Sequence, residues 1–235
     1  KTIVTTELHR RIAEAHGARC IDTLTGFKYM GEKIRQFESQ PDGPSYVFGS
    51  EESYGYLIGT HARDKDAVTA AVVTVEMALY HKSRGLSVVD ALDAIYLKYG
   101  YFEEIGISQG FPGQEGMRTM ARLMDRMRRE PPVEWAGEPV VEWRDYADGT
   151  TVRGAAGEPG RKDIELPSSN VLQWVTDRGS FVTARPSGTE PKIKFYASFC
   201  TEAGMSLAKA RAQVGARLAL AREQVERLLD SAKRA

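Results

Sequence analysis

The chain has 235 residues, 42% hydrophobic and 27% charged, which is enough apolar material for packed cores and excludes a disordered chain. Its 32 Lys and Arg balance 32 Asp and Glu, which argues against a nucleic-acid-coating protein or a basic membrane-surface helix, so any anion site must be local. Cys20 and Cys200 lie far apart without metal-ligand spacing and read as free thiols of a reducing compartment, so the expected location is cytoplasmic.

The chain opens on Lys1-Thr-Ile-Val-Thr-Thr, a strand already under way with no initiator methionine, so a piece of a longer protein is expected. Thr2 to Val4 is β-prone. Leu8, Ile12 and Ala15 recur at helical spacing until Gly17 stops them. Arg19 to Thr23 reads as a second strand, Thr25-Gly26 as a turn, and Tyr29 to Ser39 as a helix with Met30, Ile34 and Phe37 inward. After the loop Gln40-Pro-Asp-Gly-Pro44, Tyr46 to Phe48 reads as a short buried parallel strand. Strand, helix, strand, helix, strand makes an α/β layer.

Ligands of such sheets gather beyond the carboxyl ends of the strands. The third strand runs into Gly49-Ser-Glu-Glu-Ser-Tyr-Gly55, whose carboxylates and serine suit sugar hydroxyls, although Glu and Ser are also plain loop residues. Asp64-Lys-Asp66 then opens a helix with an apolar stripe of Val68, Ala71, Val72, Val75 and Leu79. The two aspartates suit a helix start better than a metal pair, having no third ligand nearby, and Lys65 reads on its own as a solvated charge. The apolar run from Ala67 to Leu79, broken by Thr69, Thr74 and Glu76, is too short and polar to span a membrane. A second helix runs from Val88 to Lys98.

The pattern changes near Gly100, which we take as the domain boundary. Tyr101 to Phe111 reads as a strand. Glu115 to Arg129 reads as an amphipathic helix whose methionines fill a core. Val133 to Tyr146 is β-prone with a break at Gly137, and Asp148 to Leu166 reads as a mobile loop. Val171 to Thr176 and Ser180 to Ala184 predict a hairpin across Asp177-Arg-Gly179. In Lys192 to Phe199, Ile193, Phe195, Ala197 and Phe199 alternate with Lys192, Lys194, Tyr196 and Ser198. A final helix turns Leu207, Ala210, Val214, Leu218, Ala221, Val225 and Leu228 inward. Between the last two strands lies Arg185-Pro-Ser-Gly-Thr-Glu-Pro191. Its guanidinium fork, the Ser187 and Thr189 hydroxyls and the freedom of Gly188 suit a phosphate or carboxylate, although a tight turn uses the same residues.

Two loops match one family together. Glu-Glu-Ser-Tyr-Gly at 51–55 resembles the sugar-binding loop of the α-D-phosphohexomutases, and Arg-Pro-Ser-Gly-Thr-Glu-Pro at 185–191 resembles their phosphate-binding loop. Thr-Gly-Phe-Lys at 25–28 and Arg-Asp-Lys-Asp at 63–66 are also similar to that family. Its wording here is nearest to bacterial phosphoglucomutases and the related phosphopentomutases. The resemblance implies the last two of four domains. Residues 1–100 are the third, three-layer α/β with a mixed, mainly parallel sheet. Residues 101–235 are the C-terminal domain, α+β with an antiparallel sheet packed by helices.

The resemblance also implies the chemistry: a phosphoserine, a hexose 1,6-bisphosphate intermediate and Mg²⁺ interconvert hexose 1- and 6-phosphates. It places Glu51, Ser53 and, more weakly, Glu52 on the sugar, with Thr25, Gly26 and Lys28 in the same cleft. It places Arg185, Ser187, Gly188 and Thr189 on the phosphate, and Lys65 at the catalytic centre. The family's Ser-His-Asn-Pro-like and Asp-Gly-Asp-x-Asp loops do not occur here: Asp148-Gly149 is followed by Thr150, and the four histidines have no such context. The expectation is a C-terminal portion that is inactive by itself, with no metal ligand of its own, partnered by the N-terminal domains of the same polypeptide and by a small sugar phosphate. Glucose, mannose and pentose remain open, as do a stand-alone sugar-phosphate-binding module and two structural domains with incidental loops.

Overall fold

The computed structural model describes residues 1–154, 159–188 and 190–234 and divides into two compact units, Lys1–Gly100 and Tyr101–Ala235. In the first unit, Thr2 and Thr23 form a parallel bridge. The Thr23 N–H donates to the Lys1 carbonyl and the Ile3 N–H to the Thr23 carbonyl, both at 2.9 Å. The expected strands Thr2–Val4 and Arg19–Thr23 are reduced to this one bridge, because the Thr5 N–H folds back onto the Thr2 carbonyl at 3.1 Å and ends the extended run. Helix α1 (Leu8–Ala15) stops before Gly17, which takes φ +73°. Helix α2 (Phe27–Glu38) starts earlier than its spacing predicts and packs Phe27, Met30 and Ile34 with Leu57.

The strand expected to be parallel at Tyr46–Phe48 is instead the first arm of a hairpin. Strand β1 (Phe48–Ser50) pairs antiparallel with β2 (Tyr56–Ile58), Ser50 opposite Tyr56. The acidic segment between them turns back on itself, with the Glu51 N–H donating to the Gly55 carbonyl at 2.9 Å. Helix α3 (Ala67–Lys82) is capped by Asp66, which accepts the Val68 N–H at 2.9 Å, and α4 (Val88–Tyr99) by a reciprocal Ser87–Asp90 capping box.

The inward stripe expected on α3 lies at the surface. Val68 is 75% and Val75 59% exposed, and no residue of α3 is buried. The helix is apolar almost all round, with Glu76 its one acidic residue, so the spacing had no polar face to define an inner one.

The second unit is one antiparallel sheet in the order β3-β10-β9-β8-β5-β6-β7, with β4 on the side of β5. These strands are β3 (Phe102–Gly110), β4 (Glu134–Trp135), β5 (Glu138–Asp145), β6 (Thr150–Arg153), β7 (Arg161–Lys162), β8 (Leu172–Thr176), β9 (Phe181–Pro186) and β10 (Lys192–Cys200). The segment 148–166, expected to be loop, carries β6 and β7. They pair through Thr150 and Thr151 opposite Lys162 and Arg161, where β-branched residues offset the glycines. Ala136 and Gly137, at φ +51° and +76°, make the tight turn from β4 to β5.

Helix α6 (Leu207–Arg234) packs over β10 and β3, beside α5 (Gly113–Arg129). Ile193, Phe195, Ala197 and Phe199 meet its buried stripe of Ala210, Val214, Leu218, Ala221, Val225 and Leu229. Leu207 and Leu228, expected in that stripe, are only half-buried. Gly116 of α5 sits where a Cβ would fall 2.0 Å from the Phe111 carbonyl oxygen, which fixes the approach of α5 to the end of β3.

The exposure of α3 and the burial of α6 predict opposite mutational costs. Val75→Lys should change unfolding free energy by less than about 0.5 kcal/mol, whereas Leu218→Ala should cost about 2–5 kcal/mol. Urea titrations of the two variants measure the difference.

Candidate functional site

The acidic loop of the first unit is built on a glycine. A Cβ at Gly55 would fall 2.8 Å from the Phe27 ring, 3.0 Å from Lys65 Cδ and 3.3 Å from Glu51 Oε2. The missing side chain is therefore what lets these three groups converge. Glu51 is 9% exposed, and its Oε1 is buried without a hydrogen-bond partner among the described residues. Burial pushes its carboxyl above the usual range, against the pull of the Gly26 backbone N–H and the Lys65 ammonium. A buried acceptor with an unused lone pair is suited to a hydroxyl donor.

Glu52, expected as the weaker sugar contact, is half-buried and accepts from Thr2 Oγ1 at 3.1 Å. It is Glu51 that faces inward. Ser53 and Tyr54 form the exposed tip, and Tyr54 takes φ +63°. Beneath the loop, Ser50 Oγ meets His9 Nδ1 at 3.1 Å.

Gly26 precedes α2 with φ +123°, and Thr25 beside it is half-buried. Lys28 is exposed over the Tyr29 ring. Lys65 Nζ lies 3.0 Å from Asp64 Oδ1 and 5.4 Å from the Phe27 ring centroid. The bond to Asp64 raises the lysine, which is charged at neutral pH. The turn carrying it is anchored by the Asp66 N–H to the Tyr56 carbonyl at 2.8 Å, and by Arg63 Nη2 donating to both Glu38 carboxylate oxygens at 2.8 and 2.6 Å. Asp66 is held well below the usual range by hydrogen bonds from Thr69 and then His61.

In the second unit, Arg185 ends β9 directly opposite Lys194 on β10, and Pro186 opposite Ile193. Opposed residues share a sheet face, so these two cationic residues leave the sheet on the same side, both half-buried. The Arg185 guanidinium makes no hydrogen bond or ion pair with a described residue. The Ser187 N–H donates to the Lys192 carbonyl at 2.8 Å, and Ser187 Oγ, whose hydroxyl was expected to face an anion, accepts the Glu190 N–H at 3.3 Å. Gly188 is exposed, has no neighbour within 4 Å of a Cβ position and does not take a positive φ, so its need for glycine is not conformational. Thr189 lies outside the described residues. Glu190 pairs with Lys192, which lowers its carboxyl, and Lys194 adds to that more weakly. Lys194 was missed in the sequence because alternation ranks it with Lys192; only register sets it beside Arg185.

Among the described residues no group of three or more His, Cys, Asp or Glu side chains could hold a metal ion, and no helix is long and apolar enough to cross a membrane.

Comparison with known proteins follows this geometry. Residues 1–99 match the family model for phosphoglucomutase/phosphomannomutase, alpha/beta/alpha domain III. Over 198 residues the chain is 36% identical to the phosphoglucomutase of Staphylococcus haemolyticus, covering 84% of this chain and 35% of that protein. The phosphoglucomutase of Staphylococcus aureus strain bovine RF122 is 35% identical over the same share. The chain thus spans about a third of the length of the curated relatives it matches. The crystal structure of the phosphoprotein pp63/parafusin, a phosphoglucomutase from Paramecium in open form, shares the fold. It has a TM-score of 0.56 at 17% identity over 94% of this chain and 36% of that one.

Two predictions test the acidic loop. Removal from water lowers His9 to about 4, from an ordinary value of 6.5. Between those values the unfolded chain binds more protons, so stability is present above pH 6.5 and falls as pH drops towards 4, by at most about 3 kcal/mol. Denaturant titrations from pH 7 to pH 4 should show that slope, and His9→Asn should flatten it. Gly55→Ala should cost about 1–3 kcal/mol by overpacking against Phe27, read by the same titration at pH 7.

Proposed function

The chain belongs to the α-D-phosphohexomutase superfamily, as a C-terminal portion of it, and from that premise we propose that it supplies the sugar and phosphate contacts of a phosphoglucomutase. In the parent enzyme a phosphoserine donates its phosphoryl group to a hexose phosphate. The hexose 1,6-bisphosphate reorients, and the other phosphate returns to the serine. One clamp must then hold the non-reacting phosphate in both orientations. Arg185, Lys194, Ser187 and, from the sequence, Gly188 and Thr189 are that clamp. Glu51, Ser53 and Glu52 read the sugar hydroxyls, with Thr25 and Gly26 at the margin of the same loop.

The observation that carries this reading is the cross-strand pair. Like charges directly opposite each other destabilise a sheet, and Arg185 and Lys194 are placed so by the register of β9 on β10. A dianionic phosphate ester converts that repulsion into two charge-assisted contacts. The alignments give further support. A stretch of 198 residues in a chain of 235 always contains residues 38–198, and so both loops.

Lys65 stands between Asp64 and the buried Glu51 carboxyl. An ammonium there stabilises negative charge developing on a transferring phosphoryl group or sugar oxygen. In this reading the Mg²⁺ that such a reaction uses is held, like the phosphoserine, by the parent's other domains. By itself this chain binds without turning over.

Arg185→Ala in the intact enzyme should weaken hexose phosphate binding by about 1.5–3 kcal/mol, the range for a hydrogen bond to a charged group. Mutase assays on glucose 1-phosphate, mannose 1-phosphate and ribose 1-phosphate side by side measure this and the sugar preference. Activity highest on glucose 1-phosphate and lowered by the substitution supports the reading; unchanged kinetics would remove it.

A further inference from the structure

Tyr54 is the one bulky residue of the acidic loop, and its placement is costly. It takes φ +63° and is 87% exposed. The left-handed region is uncommon for any residue with a Cβ and an outlier for a bulky one. Glycine or asparagine would make the same turn with less strain. The ring gains nothing from packing within the unit to offset this, since most of its surface faces water. Nor is there room for it inward. The next residue, Gly55, is already enclosed by Phe27, Lys65 and Glu51. The backbone of the loop is tied off by the Glu51 N–H to the Gly55 carbonyl. The fold therefore holds an aromatic ring outward at the tip of the loop, next to Ser53.

We infer that Tyr54 is the carbohydrate platform of this loop, its ring lying against the C–H face of the hexose whose hydroxyls Glu51 and Ser53 bind. The inference rests on the sugar-binding reading of the loop and adds a group to it. A pyranose presents two chemistries, a rim of hydroxyls and a flatter face of C–H bonds. Glu51 and Ser53 can read only the first. An aromatic face is the side chain suited to the second, because its large apolar surface is presented with few rotatable bonds to freeze. The strain is then a device of the kind found at ligand clamps, holding the ring ready before the sugar arrives. Tyr54 is a positioning and specificity residue: it acts on how well a hexose is held, and it takes part in no bond-making step.

The test uses the 235-residue chain and glucose 1-phosphate, with inorganic phosphate as the second probe. Selective saturation of aromatic protons should transfer to the sugar C–H signals in the wild-type chain. In Tyr54→Gly that transfer should be lost, and affinity for glucose 1-phosphate should fall about tenfold, the scale of one aromatic contact. Affinity for inorganic phosphate should stay as it was. The melting temperature should hold or rise, because the strain at this position is relieved, which a purely structural role for the ring would reverse. Tyr54→Asn, also at ease at positive φ, should repeat the loss, and Tyr54→Phe should restore binding. If Tyr54→Gly binds glucose 1-phosphate as wild type does while Glu51→Gln weakens it, the ring is idle and the platform is overturned with the loop's reading intact. If no variant, nor the wild type, shows transfer or saturable binding, the sugar-binding reading falls and takes the platform with it.

Discussion

The register between β9 and β10 is the constraint on which the proposed phosphate clamp depends. It is fixed from the core side. Ile193, Phe195 and Ala197 must point at α6, together with Ala184 and Val182 on the neighbouring strand. A slip of one residue would turn each of these outward and put lysines into the core. With the core satisfied, Arg185 has no choice but to stand across from Lys194. The loop between the strands is closed by its own backbone, the Ser187 N–H on the Lys192 carbonyl and the Lys192 N–H on the Glu190 carbonyl. The apolar packing behind the sheet therefore fixes which residues oppose each other on its front. In the proposed clamp, two cations fixed on one face by the register are pre-organised for an anion.

The first unit reaches a comparable end by different means. There the organising feature is a missing side chain. Gly55 leaves space for a buried carboxylate, an ammonium stem and an aromatic ring to close around one backbone position. Glu51 gives up much of its hydration at this spot and keeps one oxygen without a hydrogen-bond partner among the described residues. Lys65 remains near the surface, held by Asp64, and complements the buried charge from the rim. The hairpin arms that carry the loop are only three residues each. Much of its rigidity comes from ties outside the hairpin, from Thr2 to Glu52 and from His9 to Ser50.

How much of this was legible in the sequence can be argued residue by residue. The strict alternation of β10 and the stripe of α6 were readable because each has a polar side to contrast with its apolar one. The β8–β9 hairpin was readable because Gly179 supplies the φ of +76° that its turn requires. Helix α3 has no such contrast, and its expected inner face lies in solvent. Strands β6 and β7 hid within a Gly-rich, charged segment, since a short strand pair at the edge of a sheet leaves only a faint local pattern. The loops at 51–55 and 185–191 were legible as chemistry. Their inner arrangement was not: neighbouring Glu51 and Glu52 look alike in a sequence, and only the fold turns one inward and ties the other to Thr2. Lys194 is the same case, one lysine of an alternating pair until register places it.

The most direct test of the clamp is an NMR titration of the ¹⁵N-labelled chain with glucose 1-phosphate, following the Arg185 Nε–H and the backbone amides of Lys194 and Ser187. The account predicts that these signals shift together along one saturable curve, and that the apparent affinity falls as salt is raised. Saturable shifts confined to other parts of the chain, with Arg185 and Lys194 unmoved, would contradict it.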